Sequence, residues 1–291
     1  MILTAAALWG GIGLFVRLLE KTGLDAMQIV AVRSFWAAAV MTAVLAVRDR
    51  TKLRIRLRDC WMFFGTGILS LALFNYCYFT AMRLTSLSVA AVLLYTAPVF
   101  VVLLSAVFFR ERLTGRKLLA LAMTVGGCVL VTGVLRAGSA AIRPFGILMG
   151  IGSGVGYALY SIFSRVALRR YSSETVTVYT FLFAAAGTLP FARLDTAATA
   201  LFRWDTTLGG IGIGVICCVL PYLLYTRGLT VIENGRASMI ASLEPVVATL
   251  ISVLVFGEPL GWMQLTGMLL IAAAILLLNR AEHPDRKEKP A

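Results

Sequence analysis

Two stretches of this chain carry the same landmarks in the same order at one constant spacing. Residues 81–133 read against 228–280 at an offset of 147 align Pro98 with Pro245, Ser105 with Ser252, Phe109 with Phe256, Glu111 with Glu258 and Leu113 with Leu260. Each copy is an apolar run with a central proline, then Phe-x-Glu-x-Leu, then a second apolar run. At an offset of 148 the echo extends upstream, with Phe15 on Phe163, Arg17 on Arg165 and Trp9 on the aromatic Tyr157. A fixed-period echo implies two structurally equivalent halves. In a membrane protein, paired halves imply a solute path at their seam.

The composition places the chain in a bilayer. Hydrophobic residues make up 59% and charged residues 14%, whereas a soluble chain carries roughly 25% charged residues. The apolar residues fall in blocks near the ~20 residues that a spanning helix needs. The spans read 1–19, 26–47, 60–82, 86–108, 113–134, 145–166, 175–192, 208–227, 236–256 and 260–279. The expected fold is therefore an all-α membrane protein of ten transmembrane helices, in two repeats of five. The first repeat is expected over 1–136, the second over 143–280, and a charged tail over 281–291. The first span is read as a retained helix, because no basic n-region or small-residue cleavage site accompanies it.

The net charge of +13 does not signal nucleic acid, because of where the charge sits. With a cytoplasmic N-terminus, most of the 27 basic residues fall in cytoplasmic segments: Arg48 to Arg58, Arg110 to Lys117, Arg165 to Arg170, and Arg280 to Lys289. Few, among them Lys21, Arg83 and Arg136, fall opposite. This bias predicts that both termini are cytoplasmic. Five helices per half is odd, so the halves must be inverted. The charges agree: the Glu111 turn lies among Arg110, Arg112, Arg116 and Lys117, while the Glu258 turn, Gly257 to Gly261, has no basic residue. The run Lys52 to Arg58 alternates basic and aliphatic residues. It reads either as a loop resting on anionic headgroups or as a regulatory lipid site.

Several chemistries are excluded. The only histidine, His283, lies in the tail, so no His-Glu-x-x-His helix and no His-dependent nucleophile can form. Cys60, Cys77, Cys128, Cys217 and Cys218 lie in or beside apolar spans without metal-ligand spacing, and read as small packing residues. No glycine-rich phosphate loop with a lysine occurs. No cofactor and no metal are expected. Uphill movement would draw on a proton or cation gradient, on the solute's own gradient, or on a separate partner.

The candidate functional residues lie near mid-span. Pro98 and Pro245 each remove a helical hydrogen bond, as kinks that either shape the bundle or also line a cavity. Glu244 precedes Pro245; a carboxylate there costs about 2.5–3.5 kcal/mol and must face the bundle interior or water. Either it pairs with Arg33, or it binds a cation, a proton or a substrate amine. Trp9, Tyr78, Tyr95, Tyr157, Tyr225 and Ser242 are the candidate lining, suited to an amphipathic or cationic solute through ring faces and hydroxyls. Gly146, Gly150 and Gly154 share one helix face, Gly152 and Gly156 another, and Gly209 to Gly214 open the eighth span. Such spacing lets helices approach closely in lipid.

Leu8-Trp9-Gly10, Arg33-Ser34-Phe35, Ala97-Pro98-Val99 with Glu111-Arg112-Leu113, and Leu243-Glu244-Pro245-Val246 with Gly257-Glu258-Pro259-Leu260 and Gln264…Gly267 resemble the EamA-domain proteins of the drug/metabolite transporter superfamily. The resemblance spans essentially the whole chain, in two copies. It implies ten helices in an inverted repeat, a path between the halves, alternating access, and movement of amino acids or other small metabolites. Ala273 and Ala274 stand where such proteins often carry a late glycine. The expectation is a secondary transporter in the plasma membrane, most simply an exporter of an amino acid, amine or drug-like solute. The rivals are a lipid-acting intramembrane enzyme, which needs a nucleophile and base facing lipid, and a non-transporting assembly or sensor protein, which no solute would stabilise.

Overall fold

The computed structural model describes residues 1–136, 143–201 and 203–279; His283 and the expected tail at 281–291 lie outside them. The apolar blocks become ten helical rods: α1 Ile2–Glu20, α2 Ala26–Arg48, α3 Leu57–Leu84, α4 Leu87–Phe109, α5 Gly115–Val131, α6 Pro144–Ala167, α7 Ser173–Ala192, α8 Trp204–Leu229, α9 Asn234–Phe256 and α10 Trp262–Asn279. Nine are long and apolar enough to cross a membrane; α5 is 17 residues long and packs along α10. The rods start where local chemistry starts helices. Asp25 and Gln28 form a reciprocal capping box on α2, and the hydroxyls of Ser86, Thr114 and Ser172 cap α4, α5 and α7.

The packing obeys a two-fold relation between inverted halves. Contacts of α3 with α6 are mirrored by α8 with α1, and those of α4 with α6 by α9 with α1. The rods α2 with α7, α4 with α9, and α5 with α10 pair across the seam. Glycines permit the closest crossings. A Cβ on Gly127 would fall 2.8 Å from the Gly267 carbonyl oxygen, and one on Gly267 would fall 2.6 Å from that of Gly127. The two faces read from the α6 glycines are both used: Gly146 abuts Leu84 and Thr85 at the α3–α4 turn, Gly150 and Gly154 abut Leu93 and Thr96 of α4, and Gly156 abuts Phe74 of α3. The echo is visible in single notches too, with the Phe163 ring over Gly65 and the Phe15 ring over Gly212.

Three features break the regular helices, and they occur in matched places. α4 is interrupted at Tyr95 and Thr96, and α9 at Ser242 and Leu243. Pro98 and Pro245 thus stand in the first turn of a new helical segment, where the missing N–H removes no bond; these are breaks rather than the simple kinks the sequence suggests. Two π-helical stretches, Gly65–Ala72 in α3 and Ile213–Val219 in α8, occupy equivalent positions. Third, both Phe-x-Glu turns cap their helices with a left-handed residue, Arg110 (φ 56°) in one copy and Gly257 (φ 67°) in the other.

The two Phe-x-Glu turns lie at opposite ends of the bundle. The Glu111 turn touches Asn234 at the start of α9, and the neighbouring loop carries Asp59 against Arg170. The Glu258 turn meets Arg17 in the last turn of α1. The end holding 49–59, 110–114, 168–172 and 230–233 is the basic end, with Arg50 to Arg58, Arg110, Arg112, Arg169 and Arg170.

Candidate transport site

Arg33 of α2, Trp9 of α1, Tyr157 of α6 and Glu244 of α9 converge on one cavity between the halves, about 60 Å³ in volume. Phe74, Phe181 and Tyr222 complete its aromatic wall. Trp9 stands edge-on to Tyr222 with centroids 5.2 Å apart, and Tyr157 edge-on to Phe74 at 5.9 Å. Quadrupole-matched edges of this kind hold rings in fixed orientation. The breaks place the charges. Glu244 opens the second segment of α9, and α1 approaches so closely that a Cβ on Gly10 would fall 2.8 Å from the Glu244 carbonyl oxygen. The π stretch of α3 positions Asn75, whose amide donates to the Leu71 carbonyl at 2.7 Å and whose oxygen accepts from Arg33 at 2.8 Å.

Arg33 and Glu244 share the cavity but form no ion pair within 4.0 Å. The direct pairing allowed by the sequence is therefore replaced by an Arg33–Asn75 bond. The two charges face one cavity and interact across it. The Glu244 carboxylate also lies within electrostatic range of the hydroxyls of Tyr78, Tyr95, Tyr157 and Tyr222.

The remaining candidates are spread around this centre. Tyr225 is 1% exposed, donates to or accepts from the Ser161 hydroxyl at 2.8 Å, and backs Trp9 at 5.4 Å. Tyr78 packs on Phe74 and Phe79, behind the wall. Ser242 is buried at the α9 break and donates to the Ser238 carbonyl. Tyr95 faces a second, open space. That vestibule, about 350 Å³, runs between α4 and α9 from Glu258 and Pro259 down to Tyr95 and Pro245. Phe74 and Phe181 were not legible as site residues, because nothing in an apolar run distinguishes a phenylalanine facing a cavity from one facing a neighbour.

Toward the basic end the path is shut. Glu111 and Lys117 form a pair at 2.9 Å with both side chains 5% exposed, and Lys117 also reaches Glu233 at 3.1 Å. The Glu111 oxygens accept from the Asn234 and Gly235 amides at 2.8 and 3.3 Å. A carboxylate on two free amides of a helix start is favoured by the helix dipole as well as by the bonds. Met239, Asn234 and Val102 close this end, each at most 1% exposed.

The comparisons with known proteins agree with this architecture. The model of the EamA-like transporter family matches residues 1–133 and again 144–280. The chain belongs to the EamA-like transporter family. An uncharacterized transporter of Archaeoglobus fulgidus is 32% identical over 283 residues, covering 96% of this chain and 95% of the relative. The uncharacterized transporter YwfM of Bacillus subtilis is 25% identical, covering 100% of this chain and 95% of the relative. A crystal structure of a protein with 23% identity superposes with a TM-score of 0.77 over 96% of both chains, which speaks for the fold alone. The molecule is thus a multi-pass membrane transporter of the drug/metabolite superfamily, and the family and its relatives' names are those of transporters rather than enzymes.

Proposed function

We propose that this transporter carries a small amphipathic solute bearing an ammonium group, such as an amino acid or amine, by alternating access between the halves 1–136 and 143–280. The observation that carries the reading is the central cavity, where a carboxylate with no ion pair among the described residues and a guanidinium line one space inside an aromatic wall. Glu244 receives the ammonium or, in its absence, a proton or another cation. Arg33, held by Asn75, offers its remaining donors to a carboxylate or other acceptor. Trp9, Tyr157 and Tyr222 take the apolar part and add cation–π attraction. Tyr95 lines the approach; Tyr78, Tyr225 and Ser242 support the wall and the α9 break.

The charge bias supports cytoplasmic termini, with the basic end facing the cytoplasm of a plasma-membrane protein. In this conformation the vestibule then opens outward. A carrier whose outward vestibule ends at Pro245, next in the chain to Glu244, can load a cation from that side and exchange it for solute bound inside, which supports export. The test is solute-dependent thermal stabilisation of the purified protein over amino acids, amines, nucleosides and aromatic drugs, followed by flux in proteoliposomes. A ligand that stabilises the wild type and loses that effect in both Glu244→Gln and Trp9→Ala supports the reading. Stabilisation by no solute, or equal stabilisation of both variants, refutes it.

A further inference from the structure

The two Phe-x-Glu turns are equivalent in sequence but not in what their carboxylates touch. At the basic end Glu111 sits on the Asn234 and Gly235 amides, and the buried hydroxyl of Ser105, six residues upstream, has no partner among the described residues. At the opposite end Glu258 takes the Ser252 hydroxyl, six residues upstream, together with Arg17. The amides equivalent to Asn234 and Gly235 are those of Leu87 and Ser88, which open α4 beside the vestibule; neither donates a hydrogen bond to any described residue. Each half thus has two seats for its glutamate, a serine on its own helix and a pair of amides on the other half. One seat is filled at each end, and not the same one. The turns themselves are alike: the Glu111 and Glu258 amides each donate 3.3 Å to the Ser105 and Ser252 carbonyls.

We propose that Glu111 and Glu258 are reciprocal gate latches that change seats in opposite senses. This inference rests on the alternating-access reading. In the mirrored state Glu258 leaves Ser252 for the Leu87 and Ser88 amides and closes the vestibule, while Glu111 leaves Asn234 and Gly235 for Ser105. The latches are unequal. Lys117 backs Glu111, but its counterpart by the 147-residue offset is Gln264, which accepts from the Gly261 amide instead. A lysine at the buried latch adds a charge-assisted bond that the outer latch lacks, so the unloaded protein rests with its basic end shut.

The test needs no solute. Ser88→Cys, in the vestibule wall, reports opening through its rate of reaction with a membrane-impermeant thiol reagent; four of the five native cysteines are buried. Glu111→Ala slows this reaction about tenfold as the mirrored state gains population, and Glu111→Ala with Glu258→Ala restores it. Arg17→Ala with Ser252→Ala, which removes the Glu258 resting seat without touching the buried pair, also slows it. An unchanged rate in both the Glu111→Ala and the Arg17→Ala/Ser252→Ala proteins, or no restoration by Glu258→Ala, overturns the latch. Because the readout is solute-free, failure of the substrate reading leaves it intact.

A separate observation carries a second inference. The connection between α2 and α3 is pinned to the start of α7: the Lys52 carbonyl accepts from Thr175, the Leu53 carbonyl from Tyr179, and the Arg56 amide donates to the Tyr171 hydroxyl. It frames a cleft of about 570 Å³ lined by Arg54, Arg56, Arg58 and Arg170 around Asp59. Arg170 and Tyr171 occupy both oxygens of that carboxylate, while Arg54, Arg56 and Arg58 make no ion pair within 4.0 Å among the described residues. Leu57, 88% exposed, and Trp61, 51% exposed, lie beside these lining residues in the chain, where α3 begins. The geometry points to a binding site for the phosphate of an anionic phospholipid, with guanidinium forks on the phosphate and acyl chains along Leu57 and Trp61.

The probe is short-chain phosphatidylglycerol added to the detergent-purified protein, against phosphatidylcholine and inorganic phosphate. Phosphatidylglycerol raises the thermal midpoint by about 3 °C more than either. Arg54→Gln/Arg56→Gln/Arg58→Gln abolishes the difference, whereas Arg112→Gln/Arg116→Gln, on another loop of the same end, keeps it. Equal stabilisation by phosphatidylcholine, a full effect of phosphate alone, or loss in the Arg112/Arg116 control overturns the site.

Discussion

A single position shows how little the two copies need to differ. Arg110 and Gly257 end equivalent helices in the left-handed region, which costs a residue with a Cβ roughly 1–2 kcal/mol. Arg110→Gly is expected to leave the fold intact and raise thermal stability, whereas Gly257→Ala lowers it by about 1 kcal/mol; paired melting curves check both. Glu258 offers a pH test. The Ser252 hydroxyl, and then Arg17, hold its carboxyl below the ordinary glutamate value of 4.5. A depressed value means stabilisation present above the unfolded value and lost as pH falls through the folded one. The Arg17–Glu258 contact therefore persists at neutral pH and loosens only below about 4.5, so the drop in melting temperature caused by Arg17→Ala should be present between pH 6 and 8 and vanish over that acid window. At the centre, Glu244→Gln is expected to reduce flux in proteoliposomes about tenfold with expression unchanged; wild-type flux at every pH would remove Glu244 from the transport step. The candidate residues differ in legibility for a physical reason. Glu244 and Arg33 stand out because charge in lipid is expensive, but Tyr78 and Ser242 look the same in sequence as Tyr157, which meets the cavity.

At the scale of elements, helix breaks do most of the positioning. The prolines announce two of them, at Tyr95–Thr96 and Ser242–Leu243. The π stretches in α3 and α8 have no such announcement, since neither contains a proline; the first packs on α6 and α7 and the second on α2. Such insertions recur at functional sites, and here one delivers Asn75 to Arg33. Close crossings are the other lever. Gly10→Ala would put a methyl 2.7 Å from the Val247 Cβ and 2.8 Å from the Glu244 carbonyl oxygen, so α1 and the second segment of α9 must separate. Overpacking of this kind costs about 1–3 kcal/mol. The expected result is a lower melting temperature and weaker solute-dependent stabilisation, while Gly13→Ala, whose Cβ would meet nothing within 4 Å, changes neither.

For the whole molecule, the inverted repeat converts one set of contacts into two candidate states. A symmetric fold with unlike occupancy at its ends can exchange those occupancies without new kinds of contact. Impermeant labelling of single cysteines at Arg112 and Pro259 in intact cells tests the proposed orientation: the two turns lie at opposite ends of the bundle, and with the basic end toward the cytoplasm only the latter is modified.

Helix number, repeat and relative inversion were legible from sequence because lipid leaves the backbone so few options. Every peptide group must be satisfied within its own helix, so apolar length counts the spans, and an odd number per half inverts one half relative to the other. Which aromatic rings share a cavity, that Arg33 bonds Asn75 rather than Glu244, and which end is latched depend on rotation of each rod about its axis and on the register between rods. Those quantities are set by side-chain packing among residues far apart in the chain, and only the folded bundle decides them.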